Sequence, residues 1–199
     1  MKKIRIILAA LFLLATPCYG ADTGFYFDVN PLALLSSPHA KEFTASTFST
    51  PAQKEELRQG NSIPNVLMGF GIGGPEKVLN LGLGGGYLSS GTISSSFASL
   101  DLTPRLKISE LIAMGPHIAY MIFASPDRDG SSQIDISGNR GLMSGFAFSY
   151  GKRAAFTLSI DYLDAVFDAK TRQDSNWQFN QEKINMSGMS VQLGVAGNF

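Results

Sequence analysis

Eight separate segments of this chain alternate apolar and polar residues, and this constrains the fold more than any other feature. In the last segment Val191, Leu193 and Val195 fall on one face, with Gln192 and Gly194 on the other. A period of two residues is that of a β-strand. The other segments lie near residues 25–29, 65–72, 79–87, 100–108, 112–122, 142–150 and 156–162. The sequence therefore predicts an all-β fold, an eight-stranded antiparallel up-and-down β-barrel.

The connections between these segments alternate in length. Tight turns are predicted at residues 73–77, 109–111 and 151–153, and longer polar connections at 30–62, 89–96, 124–141 and 164–188. Only 16% of the residues are charged, against about 25% in an ordinary soluble domain. The charged residues of these segments fall on the polar face, opposite the apolar face. A soluble lipocalin-type barrel would turn its apolar face inward. An apolar face this large favours lipid around it, and hence a transmembrane barrel.

Residues 1–20 have the pattern of a cleaved secretory signal peptide: a basic start, an apolar run at residues 6–15 and a small residue, Gly20, at the end. Residues 21–199 then form a single barrel domain with a long first extracellular loop near 30–62. An even strand count predicts that both termini lie on the short-turn, periplasmic side of the outer membrane. A formal net charge of zero without a basic run excludes a nucleic-acid binder.

Aromatic residues cluster near both ends of the predicted strands, as in the two interfacial girdles of membrane barrels. On the turn side these are Phe25, Phe70, Tyr150, Phe156 and Phe199, and on the loop side Tyr87, Phe97, Tyr120, Phe123 and Tyr162. Two prolines, Pro104 and Pro116, lie inside predicted strands and face each other if the turn centres on Glu110. Because each lacks an N–H, we expect a local irregularity there.

The signal peptide, the alternating strands and the terminal aromatic residue resemble the small outer-membrane β-barrel proteins of Gram-negative bacteria. The terminal pattern Val191-x-Leu193-x-Val195-x-Gly197-x-Phe199 resembles the signal that the barrel-assembly machinery reads. The resemblance covers residues 21–199 in pattern and specifies no subfamily. It implies contact with outer-membrane lipid and lipopolysaccharide, with the assembly machinery during biogenesis, and with an extracellular ligand or surface that the sequence does not identify.

Members of that group include lipid A-modifying enzymes, so we searched for their residues. Deacylases use a histidine and a serine two residues apart, where this chain has His117 and Ala119. Palmitoyltransferases use a rim histidine, aspartate and serine, for which the loop candidates have no fixed spacing: His39, Asp127, Asp129 and Ser131. A catalytic base needs a partner within hydrogen-bond reach. We predict no catalytic residues, no cofactor and no metal ligands.

Charged residues of both signs are predicted to point into the lumen: Asp28, Asp101, Arg105, Lys107, His117 and Asp161. Small barrels fill their lumen with side chains, and buried charges need partners. We therefore interpret the set as a structural network with Arg105 as its hub, between Asp101 and Asp28, and Lys107 near the periplasmic mouth.

One wall of the lumen is predicted to be glycine-lined, by Gly69, Gly71, Gly82, Gly84 and Gly86. Three interpretations remain open. The glycines could permit tight curvature, with Tyr26, Met143 and Arg105 filling the space. They could instead border a cavity or thin water path. The apolar stretch at residues 32–35 could also fold inward as a plug.

The first long loop contains a helix-start pattern. Thr50 is an N-cap residue, Pro51 suits the first helical position, and Gln53 completes a capping box. Gly60 follows as a stop signal. The pattern predicts a short surface helix over residues 51–59.

Three functions fit these observations. The preferred one is a non-enzymatic outer-membrane scaffold that displays loops for envelope integrity or external contacts. The alternative is a narrow passive channel or small-ligand binder that uses the glycine-lined lumen. The third is a lipid A-modifying enzyme.

Overall fold

A computed structural model describes residues 22–36, 43–47, 50–55, 61–73, 77–90, 93–124, 127–128, 134–138, 140–171, 177–179 and 183–198. The predicted signal peptide, His39, Asp129, Ser131 and Phe199 lie outside the described residues. No helix within the described ranges is long and apolar enough to cross a membrane.

Eight long strands form the barrel. They are β1 (Asp22–Ser36), β2 (Asn65–Gly73), β3 (Lys77–Ser90), β4 (Ile93–Lys107), β5 (Ile112–Phe123), β6 (Arg140–Gly151), β7 (Ala154–Thr171) and β8 (Gly188–Asn198). In the described parts of the connections lie seven short strands: Phe43–Thr47, Thr50–Glu55, Asn61–Ser62, Asp127–Arg128, Ile134–Ser137, Trp177–Phe179 and Lys183–Asn185.

Each long strand pairs antiparallel with its neighbours in the chain, and β8 pairs with β1 to close the cylinder. The closing ladder runs from Tyr26↔Asn198 to Ser36↔Met189. Barrel strands are joined at one end by short connections, at residues 74–76, 108–111 and 152–153. The predicted fold class and the tight turns predicted at 109–111 and 151–153 are confirmed. The turn predicted at 73–77 falls on residues 74–76, which lie outside the described residues.

Side chains alternate between the inside and the outside of the barrel along every strand. The outward positions are apolar and exposed on all eight strands, as one residue from each illustrates: Phe25, Phe70, Leu83, Leu100, Ile122, Leu142, Ile160 and Leu193. Val191 and Val195 share the outward face of β8 with Leu193. An apolar surface of this extent, wrapped around the whole cylinder, is matched to lipid rather than to water.

The strands run further toward the loop end than the sequence predicted. β1 continues through residues 30–36 because a bulge at Asn30 and Pro31 sets two residues opposite Gly194. The bulge shifts the alternation, so Ala33 and Leu35 point inward while residues 32 and 34 stay outside. The predictions of a loop from residue 30 and of a plug at 32–35 are therefore wrong.

The helix predicted at residues 51–59 is also wrong within the described residues. Thr50–Glu55 is a strand that pairs with Phe43–Thr47, which in turn pairs with Trp177–Phe179. A capping pattern stabilises a helix by little compared with a full set of interstrand hydrogen bonds. The nearby hairpin partner therefore decides the local structure.

The two strand prolines lie opposite each other in the β4–β5 register. Paired residues stop at Leu102↔Ile118 and resume at Leu106↔Met114, which leaves the proline rows without ladder pairs. Here β4 also approaches β5 closely, since a Cβ on Gly115 would overlap the carbonyl oxygen of Pro104. The missing N–H groups are thus accommodated by a local gap in the ladder.

The interior changes character at the loop end. Along β7, Leu163, Ala165 and Phe167 are buried inside, whereas Asp164 and Asp168 are exposed outside. This is the reverse of the polarity lower down the barrel. The buried side chains form one apolar cluster, called the loop-end core: Ala33, Leu35, Ile63, Leu88, Ile93, Phe97, Ala119, Met121, Phe123, Ile136, Met143, Leu163, Ala165, Phe167, Ile184 and Met186.

Two aromatic residues predicted for the outer girdle belong to this loop-end core instead. Phe97 is 7% exposed and Phe123 is 2% exposed, with their ring centroids 5.6 Å apart. Phe123 also meets Phe167 edge to face at 5.3 Å. Phe97 lies an even number of residues from the inward-facing Asp101 on β4, and Phe123 lies an even number of residues from the inward-facing His117 on β5. Both rings therefore belong to the inward face. The predicted outward positions of Tyr87, Tyr120 and Tyr162 are confirmed.

Candidate functional site: the polar layer and the turn-end cavity

A layer of buried polar side chains crosses the barrel beneath the loop-end core. It combines three carboxylates, one imidazole, three amides and three hydroxyls from six of the eight barrel strands. Its members are Asp28, Asn30, Asn65, Ser99, Asp101, His117, Thr157, Ser159, Asp161 and Gln192. All occupy inward positions of their strands, so the alternation of the sequence directs them to one place.

His117 is the centre of this layer. Its Nε2 lies 2.9 Å from the Asp101 Oδ1 atom and its Nδ1 lies 2.8 Å from the Asp161 Oδ1 atom. The imidazole and both carboxylates are almost completely buried. Ionised carboxylates only accept hydrogen bonds, so with both carboxylates ionised each ring nitrogen is a donor and the ring is an imidazolium cation. One cation thus joins two buried anions.

Serine hydroxyls hold the second oxygen of each carboxylate. Ser99 donates to Asp101 over 2.7 Å, and Ser159 donates to Asp161 over 2.6 Å. In both pairs the two residues are neighbours on the inward face of one strand. The result is a continuous chain of short hydrogen bonds from β4 through β5 to β7.

Amide side chains extend the layer to strands β1, β2 and β8. Asn30 donates to Asn65 over 3.0 Å, and Asn65 donates to Gln192 over 2.8 Å. Thr157 donates to Asp28 over 3.1 Å. The Gln192 amide also lies 3.4 Å from the Asp161 carboxylate, which links the amides to the His117 centre.

Arg105 does not occupy the hub position that the sequence predicted. Its Nε is buried without a hydrogen-bond partner, and within the described ranges it makes no ion pair with Asp28 or Asp101. Asp101 uses its oxygens on His117 and Ser99 instead. The Asp28 carboxylate still attracts the guanidinium, but over a distance longer than that of an ion pair. Lys107 is exposed near the turn end of β4, where the sequence located it.

The hydrogen-bond pattern at His117 differs from that of a catalytic triad. In a triad the serine contacts one imidazole nitrogen and an acid contacts the other. Here both nitrogens contact carboxylates, and the serines Ser99 and Ser159 donate to the carboxylates themselves. Neither hydroxyl is positioned to lose its proton to the ring. Among the described residues, no cluster of three or more His, Cys, Asp or Glu could hold a metal ion.

The predicted glycine-lined wall exists, but neighbouring groups occupy the space beside it. A Cβ on Gly82 would overlap the Tyr26 hydroxyl, and one on Gly84 would lie 2.7 Å from the Ser99 hydroxyl. At Gly86 the Phe97 ring would be 2.6 Å away. Gly69 faces the Leu81 carbonyl oxygen, and Gly71 faces the Asn80 side chain. The filled-wall interpretation fits these contacts, and a water path along the wall does not.

Two cavities lie inside the barrel on either side of Arg105. The inner one lies among the side chains of the polar layer, from Arg105 at one end to Phe97 and Met121 of the loop-end core at the other, and has a volume of about 30 Å³. That is room for one or two water molecules. The second has a volume of about 610 Å³ and is called the turn-end cavity. Its lining includes Arg105, Lys107, Glu110 and Lys152.

The sequence predicted the charged members of the layer but not its amides and hydroxyls. Asn65, Gln192 and Ser99 occupy the same set of alternate, inward-facing strand positions as the predicted lumen charges. This alternation is the sequence signal that could have identified them. Which of these side chains reach one another depends on strand tilt and on the β1 bulge. A sequence pattern carries neither.

The closed cylinder and its filled, polar interior define the class of small eight-stranded antiparallel outer-membrane-type barrels. The outer membrane protein OprG from Pseudomonas aeruginosa superposes with a TM-score of 0.52, covering 88% of this chain and 96% of that chain at 13% identity. The outer membrane protein AlkL, in DMPC bilayers, superposes with a TM-score of 0.51, covering 89% and 90% at 9% identity. No protein-family model and no curated protein matches the chain. The resemblance predicted from the sequence is confirmed for the fold.

Proposed function

We propose that this protein is a non-enzymatic outer-membrane scaffold that holds its loops at the cell surface. The observation that carries this proposal is the blocked lumen. The polar layer joins strands around the barrel, the loop-end core packs above it, and the cavity among the side chains of the layer measures only about 30 Å³. An interior filled in this way provides rigidity and leaves little room for a solute.

Placement in the outer membrane is part of the same proposal. The apolar exterior and the fold of OprG and AlkL support it. The termini would lie in the periplasm and the long loops outside the cell, in contact with lipopolysaccharide and an external partner. Cell fractionation, combined with protease cleavage of intact cells carrying a tag inserted between residues 36 and 43, tests location and orientation together. Cleavage only after lysis would overturn the orientation.

Conductance in planar bilayers tests the scaffold against the channel alternative. We expect the refolded protein to produce no steady ion current, because the polar layer blocks the lumen. A difference in electrophoretic mobility between unheated and boiled samples shows that the sample contains a folded barrel. A folded sample with reproducible single-channel currents would overturn the scaffold role.

Mass spectrometry of lipid A tests the enzyme alternative. Cells with and without this chain should give the same lipid A masses, because neither serine in the polar layer is aligned with His117. A mass difference that depends on the chain would identify a modifying enzyme.

A further inference from the structure

The outer surface of β5, β6 and β7 changes character near the loop end of the barrel. Polar and amphipathic side chains interrupt the apolar exterior there. They are exposed on three neighbouring strands and are called the outer patch: Tyr120, Arg140, Leu142, Ser144, Tyr162 and Asp164. On β8, β1 and β2 the outward surface in the loop half is mainly apolar, with exposed Met189, Val191, Leu34 and Val66. The patch therefore marks one sector of the barrel.

Strand register sets the side chains of the outer patch next to one another. Leu142 is the ladder partner of Tyr120 on β5 and of Asp164 on β7. Ser144, the next outward residue of β6, is the ladder partner of Tyr162. Residues directly opposite each other on neighbouring strands have Cβ atoms about 5 Å apart. Two phenols, a serine hydroxyl and a carboxylate therefore surround one exposed leucine.

Arg140 supplies the positive charge of the outer patch. It lies on the outward face of β6 like Leu142, because Gly141 between them faces the Phe123 ring inside the barrel. Its ladder partner on β5 is Ile122, which is exposed on the lipid side. The charge is therefore located where the apolar wall ends. A long cationic side chain at such a boundary keeps its stem on apolar surface and its head among lipid headgroups.

The exposed carboxylates of β7 have other neighbours. Asp164 lies diagonally across from Arg140 and accepts a hydrogen bond from the Ser187 hydroxyl over 3.1 Å. Asp168, further along β7, is the ladder partner of Lys183. Among the described residues, neither carboxylate forms a salt bridge with Arg140. The patch thus presents a guanidinium and a carboxylate side by side without a direct pair between them.

This set of groups matches a phosphorylated glycolipid. A guanidinium fork and phenol hydroxyls donate hydrogen bonds to phosphate oxygens. A carboxylate repels a phosphate, but it accepts hydrogen bonds from the hydroxyl and amide groups of a sugar. Asp164 beside Arg140 therefore favours a phosphorylated sugar over a simple anionic phospholipid. Leu142 and Ile122 provide apolar contacts for acyl chains.

We propose that the outer patch binds the phosphorylated sugar headgroup of one lipopolysaccharide molecule, with Arg140 on a phosphate and the hydroxyls of Tyr120 and Tyr162 beside it. This proposal rests on the proposed function, because only loops outside the cell put the patch at the leaflet that contains lipopolysaccharide. Binding in detergent does not depend on orientation. A barrel with its loops in the periplasm would overturn the orientation and still bind the purified lipid. A failure to bind would leave the scaffold role intact.

Native mass spectrometry of the refolded mature protein in nonionic detergent, titrated with purified lipid A, tests the proposal. We expect saturable binding of one lipid A. Arg140→Gln should weaken that binding about fivefold, since one exposed charge-assisted contact is lost. Arg153→Gln is the matched control, because it removes the same charge from an exposed position in the turn at the other end of the barrel. Absence of saturable binding, or equal affinities of the two variants, would overturn the proposal.

The tyrosines provide a second variant that does not change the charge. Tyr120→Phe combined with Tyr162→Phe keeps both rings and removes only the hydroxyls. We expect the protein to fold, as judged by different mobilities of unheated and boiled samples, and to bind lipid A a few-fold more weakly. Tyr87→Phe is the control, because Tyr87 is an exposed outward tyrosine of β3 outside the patch. Equal binding by the double variant and this control would overturn the donor role of the two tyrosines.

Two other lipids test the identity of the headgroup. Lipid A without its phosphates should bind more weakly than intact lipid A, and Arg140→Gln should reduce this difference. Phosphatidylglycerol has a phosphate but no sugar, so we expect it to bind more weakly than lipid A. Equally tight binding of phosphatidylglycerol that depends on Arg140 would overturn the assignment to a glycolipid and indicate a site for anionic phospholipid.

Discussion

His117 and Asp161 are 44 residues apart in the chain and lie on strands that do not pair, yet their side chains meet at 2.8 Å. Strand β6 runs between them, and Gly145 is the β6 residue paired with both. A Cβ on Gly145 would lie 2.5 Å from the Asp161 Oδ1 atom that His117 contacts. The absence of a side chain at Gly145 is therefore what allows the two residues to reach each other across the strand.

Replacing the histidine should strongly destabilise the barrel. His117→Gln removes the cation between Asp101 and Asp161, and both carboxylates then remain buried without it. We expect the free energy of unfolding in urea to fall by about 3–5 kcal/mol. Asp161→Asn in the same background should restore part of the loss. Strictly additive effects of the two substitutions would contradict a direct interaction.

Gly145→Ala should weaken the His117–Asp161 interaction without changing either of these two residues. The added methyl group would overlap the Ile160 carbonyl oxygen and crowd both the backbone and the carboxylate of Asp161, so we expect a cost of about 1–3 kcal/mol, as for other overpacked sites. Gly85→Ala is the matched control, because a Cβ there would meet only one atom within contact range, at 3.2 Å. Equal losses for the two variants in urea titrations would show that the effect is not specific to the pair.

The glycine wall makes a further prediction at Gly82. A methyl group at that position would collide with the Tyr26 hydroxyl, so Gly82→Ala should reduce the midpoint of urea unfolding. Removing the hydroxyl with Tyr26→Phe should relieve part of the clash. If the double variant is no more stable than Gly82→Ala alone, Tyr26 does not fill the space beside the wall.

The alternation of the sequence was sufficient for the strands, the tight turns and the inward set of charges. These features depend on local periodicity and on the rule that neighbouring strands pair in an up-and-down barrel. Arg105 shows where such reasoning stops. It was the single inward guanidinium among three inward carboxylates, so pairing by charge made it the hub. Strand register instead brings His117 beside Asp101, and Arg105 lies at the boundary of the turn-end cavity.

The structure of the loop end could be predicted from the sequence only in part, and the physical reason differs from that for Arg105. The sequence prediction assumes apolar residues outside and polar residues inside along whole strands. Above Tyr162 on β7 that rule reverses, because Asp164 and Asp168 are exposed while Leu163 and Phe167 are buried. The reversal is what a barrel needs where its wall leaves lipid and enters water. The change from an apolar outward residue, Tyr162, to a charged one, Asp164, was a signal for that boundary.

Phe199 lies outside the described residues, so its role stays a prediction from the terminal pattern. Deleting it should lower the yield of protein in the outer membrane without affecting the urea stability of refolded protein. The reason is that the assembly machinery is predicted to read this residue. Wild-type assembly kinetics in the deletion variant would contradict the prediction.

We expect the loop-end core and the polar layer each to close the lumen without the other, and Phe167 separates their contributions. Its ring is fully buried and contacts Phe123, so Phe167→Ala should cost about 3–5 kcal/mol of stability. Phe156→Ala is the matched control, because Phe156 faces outward and is 72% exposed. Detergent or lipid can fill the space that its ring leaves, so its cost should be smaller. The Phe167 variant should still carry no current in planar bilayers, because the hydrogen-bonded layer below the core remains intact. Current through Phe167→Ala would show that the core alone closes the lumen, and that the polar layer is permeable.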